Sequence, residues 1–522
     1  MTSLSFALAQ VNPTVGDIKG NASLILKHWK QAGDVDLVIF PELVLSGYPP
    51  EDLVLKAAFI EALHAEIKSL LIRSQTFKSA ALIGTPWHES GKIYNAALLI
   101  EQGAIKAITF KNHLPEYGVF DEPRVFTAGP LPEPIAFRDH KLGVLICEDM
   151  WYDDVTSALK DKGAEVLIVP NGSPFETGKD ETRKMHAANR VKETGLPLIY
   201  VNQVGGQDDL LFDGGSFAMD TRGTITAQLP FFTESLGGQE GNLAVTPSET
   251  ASVYAALTLG LRDYVRKNGF SKVLLGLSGG VDSAIVAVIA VDALGADNVG
   301  CVMLPSRFTS TDSLEDAKLL AHNLGLKLEN YSIGEPLRGF EQTLPDLAGL
   351  AHENIQSRIR GVMLMALSNA RGALLLSTGN KSEMACGYAT LYGDMNGAFN
   401  PLKDVYKTEV YKLCAWRNGE TQLIPGRILT KAPTAELKDN QTDQDSLPPY
   451  DVLDDILHGL IEENSGIEDI AKRGHDPALI SRVWTMLDRA EYKRRQACPG
   501  VKITPRAFGR DRRIPMTNRF QQ

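Results

Sequence analysis

A chain of 522 residues is longer than one hydrophobic core usually organises, so at least two domains are expected. With 43% hydrophobic and 22% charged residues it has an ordinary globular composition. A net charge of −11 argues against a broad nucleic-acid surface but leaves room for a local cationic site that meets a small anion.

The first ten residues carry no basic leader segment, and five scattered cysteines form neither a disulfide framework nor a paired metal spacing. The longest apolar helix candidate, 284–294, contains Asp292 and is too short to cross a bilayer. A cytoplasmic protein without a membrane or nucleic-acid partner is expected. Residues 4–230 alternate apolar runs, predicted as strands at 5–10, 36–40, 80–84, 96–100, 142–146, 166–169 and 198–201, with predicted amphipathic helices at 22–31, 57–73, 155–162 and 180–195. This alternation predicts α/β layers, with reactive groups just beyond the strands' carboxyl ends.

Three residues take such positions. Glu42 follows Leu37 to Pro41, Lys111 follows Ile108 to Phe110, and Cys147 follows Val144 to Ile146. Singly, the first two read as solvated charges and the third as a small core residue. Together they make a complete set: a thiolate attacks an amide carbonyl, a carboxylate moves the proton, and an ammonium stabilises the oxyanion.

The words Phe40-Pro41-Glu42-Leu43, Lys111-Asn112-His113-Leu114-Pro115 and Ile146-Cys147-Glu148-Asp149-Met150-Trp151 resemble the Glu, Lys and Cys boxes of nitrilase-type amidases, in order. The resemblance, over about residues 1–235, implies an α-β-β-α sandwich with Glu42 as base, Lys111 as oxyanion stabiliser and Cys147 as nucleophile. Tyr117, Ser173 and Lys179 match positions that hold glutamine in the glutaminase members. Glu116 and Glu148 lie near the triad in sequence without an assigned role.

Residues 234–250 are rich in glycine and polar side chains and are expected to connect two domains, 1–240 and 250–522. A helix follows, with Val253, Leu257, Leu261 and Val265 on one face. Next, Val273 to Leu275 give a buried strand, Gly279 and Gly280 a tight turn, and 284–294 a buried helix. Strand, glycine turn and helix form a phosphate-binding layout, although neither the Walker nor the dinucleotide pattern fits. Asp282 in the mouth of such a site makes sense as a Mg²⁺ ligand.

Further strands are predicted at 299–305 and 326–331, around a helix opened by Asp312 and Glu315 as a capping box and closed by Gly325. The strand and helix repeat predicts a doubly wound parallel sheet. A helix over 352–371 is expected to turn Ile355, Ile359, Val362, Met363 and Ala366 inward. The string 374–383, with Thr378 and Glu383, is a second strand entering a polar turn, where a carboxylate could complete a metal shell. Cys301 and Cys386 are expected to be structural, and the basic stretch of Arg494, Arg495, Arg506, Arg510, Arg512 and Arg513 to be surface or subunit contacts.

The string Ser278-Gly279-Gly280-Val281-Asp282-Ser283 resembles the pyrophosphate loop of N-type ATP pyrophosphatases, and the later words resemble their NAD⁺ synthetase branch. That resemblance implies ATP at Gly276, Leu277, Ser278, Gly279, Gly280, Val281, Asp282, Ser283, Thr378, Lys407 and Thr434. It also implies deamido-NAD⁺ at Asn354, Glu383 and Lys493, Mg²⁺ at Asp282 and Glu383, and a homo-oligomer. Leu391 departs from the ammonia-only relatives, which carry a lysine there, and 440–450 corresponds to a loop that closes over the synthetase site. The two resemblances together imply an enzyme that amidates deamido-NAD⁺ with ammonia from glutamine. An amidotransferase for a purine nucleotide or a tRNA base would share the glycine loop, and a nucleotide sensor without turnover is the non-enzymatic alternative. The nitrilase-type glutaminase and the 378–383 word speak against the first, and the acidic charge without paired sulfur-carrier cysteines against the second. The intact set of reactive residues speaks against the sensor.

Overall fold

The computed structural model describes residues 4–238, 241 and 243–520. Met1–Ser3 at the amino end, and Gln239, Glu240 and Asn242 of the expected connector, lie outside the described residues. The chain divides into two compact units, Met1–Ser248 and Glu249–Gln522.

The first unit contains β1 (Phe6–Gln10), β2 (Leu37–Ile39), β3 (Ala80–Glu89), β4 (Lys92–Glu101), β5 (Ala104–Phe110), β6 (Ile135–Phe137), β7 (His140–Val144), β8 (Val166–Asn171), β9 (Leu198–Asn202), β10 (Val204–Gln207), β11 (Leu210–Asp213), β12 (Phe217–Met219), β13 (Ile225–Gln228) and β14 (Ser235–Gly237). Its helices are α1 (Ile18–Gln31), α2 (Ala57–Ser74), α3 (Asp153–Asp161) and α4 (Lys179–Thr194). Among the described residues one sheet runs β14-β1-β2-β3-β4-β5, a second β13-β12-β9-β8-β7-β6, and β10 pairs with β11.

Side-chain alternation sets the layers. Along β2, Leu37 and Ile39 enter the core shared with Leu142 and Val144 of the second sheet, while Val38 joins Ile25 of α1 and Leu63 of α2 on the outer face. Along β8, Val166 and Ile168 turn inward, whereas Leu167 and Val169 pack with Val155 of α3 and Val191 of α4. The result is the α-β-β-α sandwich.

The polar stretch 234–250 is not a plain connector. β14 pairs antiparallel with β1, and the Gly241 and Ala244 N–H groups donate to Thr226 O and Gln228 O. A composition rich in glycine hides this strand, whose backbone occupies an edge of β1 that would otherwise stay unpaired.

The second unit holds β15 (Val273–Gly276), β16 (Val299–Met303), β17 (Leu328–Asn330) and β18 (Leu374–Leu376), ordered β17-β16-β15-β18 and parallel throughout. Around them stand α5 (Glu249–Lys267), α6 (Val281–Leu294), α7 (Thr311–Asn323), α8 (Gly334–Thr343), α9 (Gly349–Arg371), α10 (Lys381–Cys386) and α11 (Lys407–Glu420). α12 (Gly426–Thr430), α13 (Tyr450–Ile461), α14 (Ile467–Ala471) and α15 (Pro477–Arg489) follow, with Leu453, Ile456, Ile480 and Val483 in a helical core. The order reverses between β15 and β18, the switch point of a doubly wound sheet.

Four local expectations change. Gly280 is the N-cap of α6, so the helix begins at Val281 and Asp282 lies in its first turn. α7 is capped by Ser310, whose Oγ accepts the Ser313 N–H at 3.2 Å; Asp312 and Glu315 instead pair with Arg427. On α9 the inward residues are Ile355, Ile359, Met363, Leu364 and Leu367, whereas Val362 is 65% exposed and Ala366 is exposed. Here the apolar periodicity covers more of the helix circumference than the sheet buries. Arg494 is buried and donates to Met384 O, Ala385 O and Leu487 O, capping the end of α10.

No helix among the described residues is long and apolar enough to cross a membrane. The five cysteines are free thiols.

Candidate active sites

In the first unit Glu42, just past β2, is fully buried. Its Oε1 accepts hydrogen bonds from Lys111 Nζ at 2.8 Å and Asn95 Nδ2 at 2.7 Å, and its Oε2 accepts the Gly172 N–H at 2.8 Å. A Cβ at Gly172 would lie 2.9 Å from the Tyr48 ring and 3.2 Å from Glu42 Oε2, so glycine permits this approach. Lys111 follows β5 and is buried between Glu42 and Glu122, each at 2.8 Å. Burial pulls its pKa down, but the Glu122 and Glu42 carboxylates more than offset this and hold it well above the ordinary lysine value. Lys111 is therefore a fixed cation.

Cys147 starts a single helical turn after β7 with φ of 47°, in the left-handed region that residues with a Cβ rarely adopt. Asp149 holds this turn: its Oδ2 accepts the Ile146 N–H at 2.9 Å, and its Oδ1 accepts those of Asn112 and His113 at 3.0 and 2.7 Å. One carboxylate thus ties the lysine segment to the cysteine turn. Burial pushes the Cys147 thiol well above its usual pKa, and Glu42 adds to this against the pull of Lys111. The resting sulfur is a neutral thiol that needs a base.

Glu122, Asn95 and Asp149 had no role from sequence. Burial, opposed by Lys111 and reinforced by Glu42, lifts Glu122 to about 7. No spacing rule links these residues to the triad; only the fold brings them in.

Tyr117 donates to Glu148 Oε2 at 3.0 Å, and the Lys179 ammonium lies 5.3 Å above the Trp151 ring. Glu148 and Trp151 belong to the Cys147 turn, so both side chains gather at that turn. Ser173, buried just past β8, donates its N–H to Asn202 Oδ1 at 3.0 Å. Glu116 is exposed.

In the second unit the glycine turn leaves β15 at the switch point. Gly279 has φ of 82°, and a Cβ there would meet Ser313 O at 2.4 Å, so no other residue fits. Ser278 Oγ accepts the Gly280 N–H at 3.2 Å and lies 3.0 Å from Ser283 Oγ, which stiffens the turn. No side chain caps the first N–H groups of α6. A helix end left open in this way suits a phosphate.

A cavity of about 200 Å³ opens at this point, lined by Ser278–Ser283, Thr378, Glu383, Lys407, Thr434 and Asp443. Asp282 Oδ1 accepts from Asn380 Nδ2 at 2.9 Å, and Oδ2 is ion-paired with Lys407, whose ammonium is also 3.3 Å from Glu383 Oε1. Asn380 and Glu383 cap each other across the first turn of α10. Burial, opposed by Lys407 and reinforced by Asp282 and Asp443, lifts Glu383 to about 8. Asp443, another residue without a role from sequence, is buried and accepts the Tyr450 hydroxyl at 2.8 Å.

Carboxylate oxygens of this kind are ligands for a hard divalent cation, but here Asp282 and Glu383 are both paired with the Lys407 ammonium. Among the described residues no cluster of three or more metal-ligating side chains stands ready, so such a cation would draw its other ligands from phosphates and water. An adjoining cavity of about 260 Å³ is lined by Gly276, Leu277, Arg360 and, again, Thr378 and Thr434. Asn354 and Lys493 line neither cavity. Instead, Asn354 Oδ1 accepts from Thr390 Oγ1 at 3.0 Å, and Lys493 donates to Gly387 O and Ala389 O at 2.7 Å each, bracketing one turn beside Glu383.

An amide-cleaving site and a nucleotide-activating site in one chain are the two halves of an amidotransferase. Residues 5–245 match the carbon-nitrogen hydrolase family and residues 253–497 the NAD synthase family. The chain is 48% identical to a glutamine-dependent NAD(+) synthetase of Rhodobacter capsulatus, over 98% of both chains. It is 41% identical to a solved glutamine-dependent NAD⁺ synthetase of Acinetobacter baumannii in complex with adenosine diphosphate, covering 99% of each chain with a TM-score of 0.79. A structure from Cytophaga hutchinsonii, 23% identical with a TM-score of 0.85 over 99% of this chain and 98% of that one, shares the fold. The chain belongs to the glutamine-dependent NAD⁺ synthetases.

Proposed function

We propose that the chain converts deamido-NAD⁺ to NAD⁺ with ATP and glutamine, releasing AMP, pyrophosphate and glutamate, and that residues 1–240 and 250–522 carry the two half-reactions. In the first, Glu42 takes the proton of the neutral Cys147 thiol as sulfur attacks the side-chain carbonyl of glutamine. The proton returns to the leaving ammonia, and water activated by Glu42 then hydrolyses the thioester. Lys111, held by Glu42 and Glu122, donates to the tetrahedral oxyanion, while Tyr117, Ser173 and Lys179 hold the amino-acid end of the substrate.

In the second half the phosphates of ATP lie on the open end of α6 and the loop Gly276–Ser283, with Thr378, Lys407 and Thr434 beside them. The nicotinate carboxylate attacks the α-phosphorus and expels pyrophosphate; ammonia then displaces AMP from the acyl-adenylate. Asn354, Glu383 and Lys493 are assigned to deamido-NAD⁺. Asp282 and Glu383 would hold Mg²⁺ against the phosphates, where it would supply charge neutralisation for the leaving pyrophosphate. Delivery of ammonia away from solvent keeps it neutral and keeps water off the acyl-adenylate.

Five free thiols support a reducing, cytoplasmic setting, and a homo-oligomer is part of the same reading. The observation that carries the reading is that one chain holds both a buried carboxylate, lysine and cysteine set and an open helix end lined by carboxylates. The test is formation of NAD⁺ from deamido-NAD⁺, ATP and glutamine, with the product identified by mass. Glutamine hydrolysis without any amidated nucleotide or pyrophosphate would overturn it.

A further inference from the structure

Arg183, on α4 one turn after Lys179, is among the largest fully buried side chains of the chain. Its Nε donates to Ser173 Oγ at 3.0 Å, its Nη2 to Ser173 O and Pro174 O at 2.9 and 2.7 Å, and its Nη1 to both Asp213 carboxylate oxygens at 2.8 Å. Asn202 closes the group: its Oδ1 accepts the Ser173 N–H at 3.0 Å, and its Nδ2 reaches Ser173 O at 3.1 Å and Asp213 Oδ1 at 3.3 Å. Every polar atom of Ser173 is therefore engaged by one buried cluster.

A buried ion pair is a poor source of stability, because desolvating both charges offsets most of their attraction. What this pair does supply is geometry. A guanidinium has only donors, so Ser173 Oγ meets Arg183 as an acceptor, and its own proton is directed to another acceptor. Inside the protein Ser173 is hydrogen-bonded to Tyr200, whose phenol burial keeps neutral and hence a modest acceptor that an arriving substrate would have to displace. A carboxylate is a far stronger one.

We propose that the Arg183–Asp213 pair is a positioning device that fixes Ser173 as a hydroxyl donor to the α-carboxylate of glutamine. The proposal rests on Ser173 being a glutamine-binding residue. Neither Arg183 nor Asp213 touches substrate; both act through Ser173. Lysine at 183 could still meet Asp213, but it cannot also present an N–H to Oγ and two carbonyls in one plane.

The test measures glutamine KM and kcat, with ammonium-driven NAD⁺ formation as internal reference, for Ser173→Ala, Arg183→Lys, Asp213→Asn and the Ser173→Ala/Arg183→Lys double variant. Ser173→Ala and Arg183→Lys should each raise glutamine KM about 10-fold or more, with kcat at saturation changed by less than about 3-fold. The double variant should be no worse than Ser173→Ala alone, because a misaimed hydroxyl and a missing one are equivalent. Glutaminamide, which lacks the α-carboxylate, should be hydrolysed alike by all four. Additive effects in the double variant, or unchanged KM in Arg183→Lys while Ser173→Ala raises it, would overturn the proposal. Unchanged KM in Ser173→Ala would instead remove the glutamine assignment beneath it. If Arg183→Lys does not fold, Asp213→Asn, which preserves shape and one acceptor, must show the same KM rise in weaker form, and its absence overturns the proposal.

Discussion

Each unit holds a lysine ammonium between two carboxylates, and the two clusters differ in what surrounds them. Lys111 sits between Glu42 and Glu122, which are further bonded by Asn95, Gly172 and Tyr48, and the whole group is buried. Lys407 sits between Asp282 and Glu383 on the wall of a cavity, at a helix end whose N–H groups no side chain caps. In the proposed reading the nucleophile of the first site is part of the protein, and the charges around it are arranged in advance and fixed by protein partners. The anion of the second site, in the same reading, arrives with the substrate, and Lys407 is held by Asp282 and Glu383 until phosphates replace them. A change in the first cluster should therefore alter the chemical step alone, and a change in the second should alter nucleotide binding as well.

The largest effect expected is from Cys147→Ala. Glutamine-driven NAD⁺ synthesis should vanish, while synthesis from concentrated ammonium salt persists and grows as pH rises toward the ammonium pKa. Loss of both activities in a folded variant that still binds ATP would refute the separation of the two sites. Next, Asp282→Asn and Glu383→Gln should each lower pyrophosphate release on the order of 10²-fold or more with either nitrogen source, a loss of about 3 kcal/mol or more at the transition state. Near-normal adenylation at saturating Mg²⁺ in both variants would end the metal assignment.

Lys111→Met comes third. Glutamine should bind almost normally while hydrolysis falls about 10²-fold, since the oxyanion donor is lost and the Glu42 and Glu122 carboxylates are left facing each other. A rise in KM alone would make Lys111 a substrate clamp.

The smallest effect is on stability against pH. Glu383 is raised to about 8 from an ordinary 4.5, so between these values the folded chain keeps a proton that the unfolded chain has released. Its stabilising contribution is fully present below the ordinary value and is lost as pH rises through about 8. Glu383→Gln should therefore flatten the fall in the urea midpoint of the second unit over that window. An unchanged slope would show that Glu383 does not hold the proton.

The sequence carries some of these groups plainly and hides others. Glu42, Cys147 and Asp282 were legible because each follows a short apolar strand, where α/β folds expose reactive groups, and because family words surround them. Glu122 was not, because it reaches Lys111 from a short turn in irregular chain whose path no periodicity records. Asp443 sits in a polar, proline-bounded loop and acquires its place only through Tyr450 and the packing of α13. On α9 the pattern identified the helix but misjudged its rotation: Val362 and Ala366 fit the stripe yet face outward, while Leu364 and Leu367 meet the sheet. β14 was hidden by its glycines, since pairing along an edge is made by backbone and leaves little mark on side chains.

That strand also bears on how the protein is made. β1 leaves the ribosome well ahead of its neighbour on one side, β14, which is synthesised only after nearly all of the rest of the first unit, with Leu8 pairing to Gly237. Until then β1 presents a row of unsatisfied backbone groups, the kind of edge that recruits other chains. Closing this edge needs a contact between distant parts of the sequence and is slow for that reason. A nascent chain stalled shortly before residue 235 would be a natural client for chaperones, and the amidase half should become protease-resistant only when the last residues ahead of α5 have emerged.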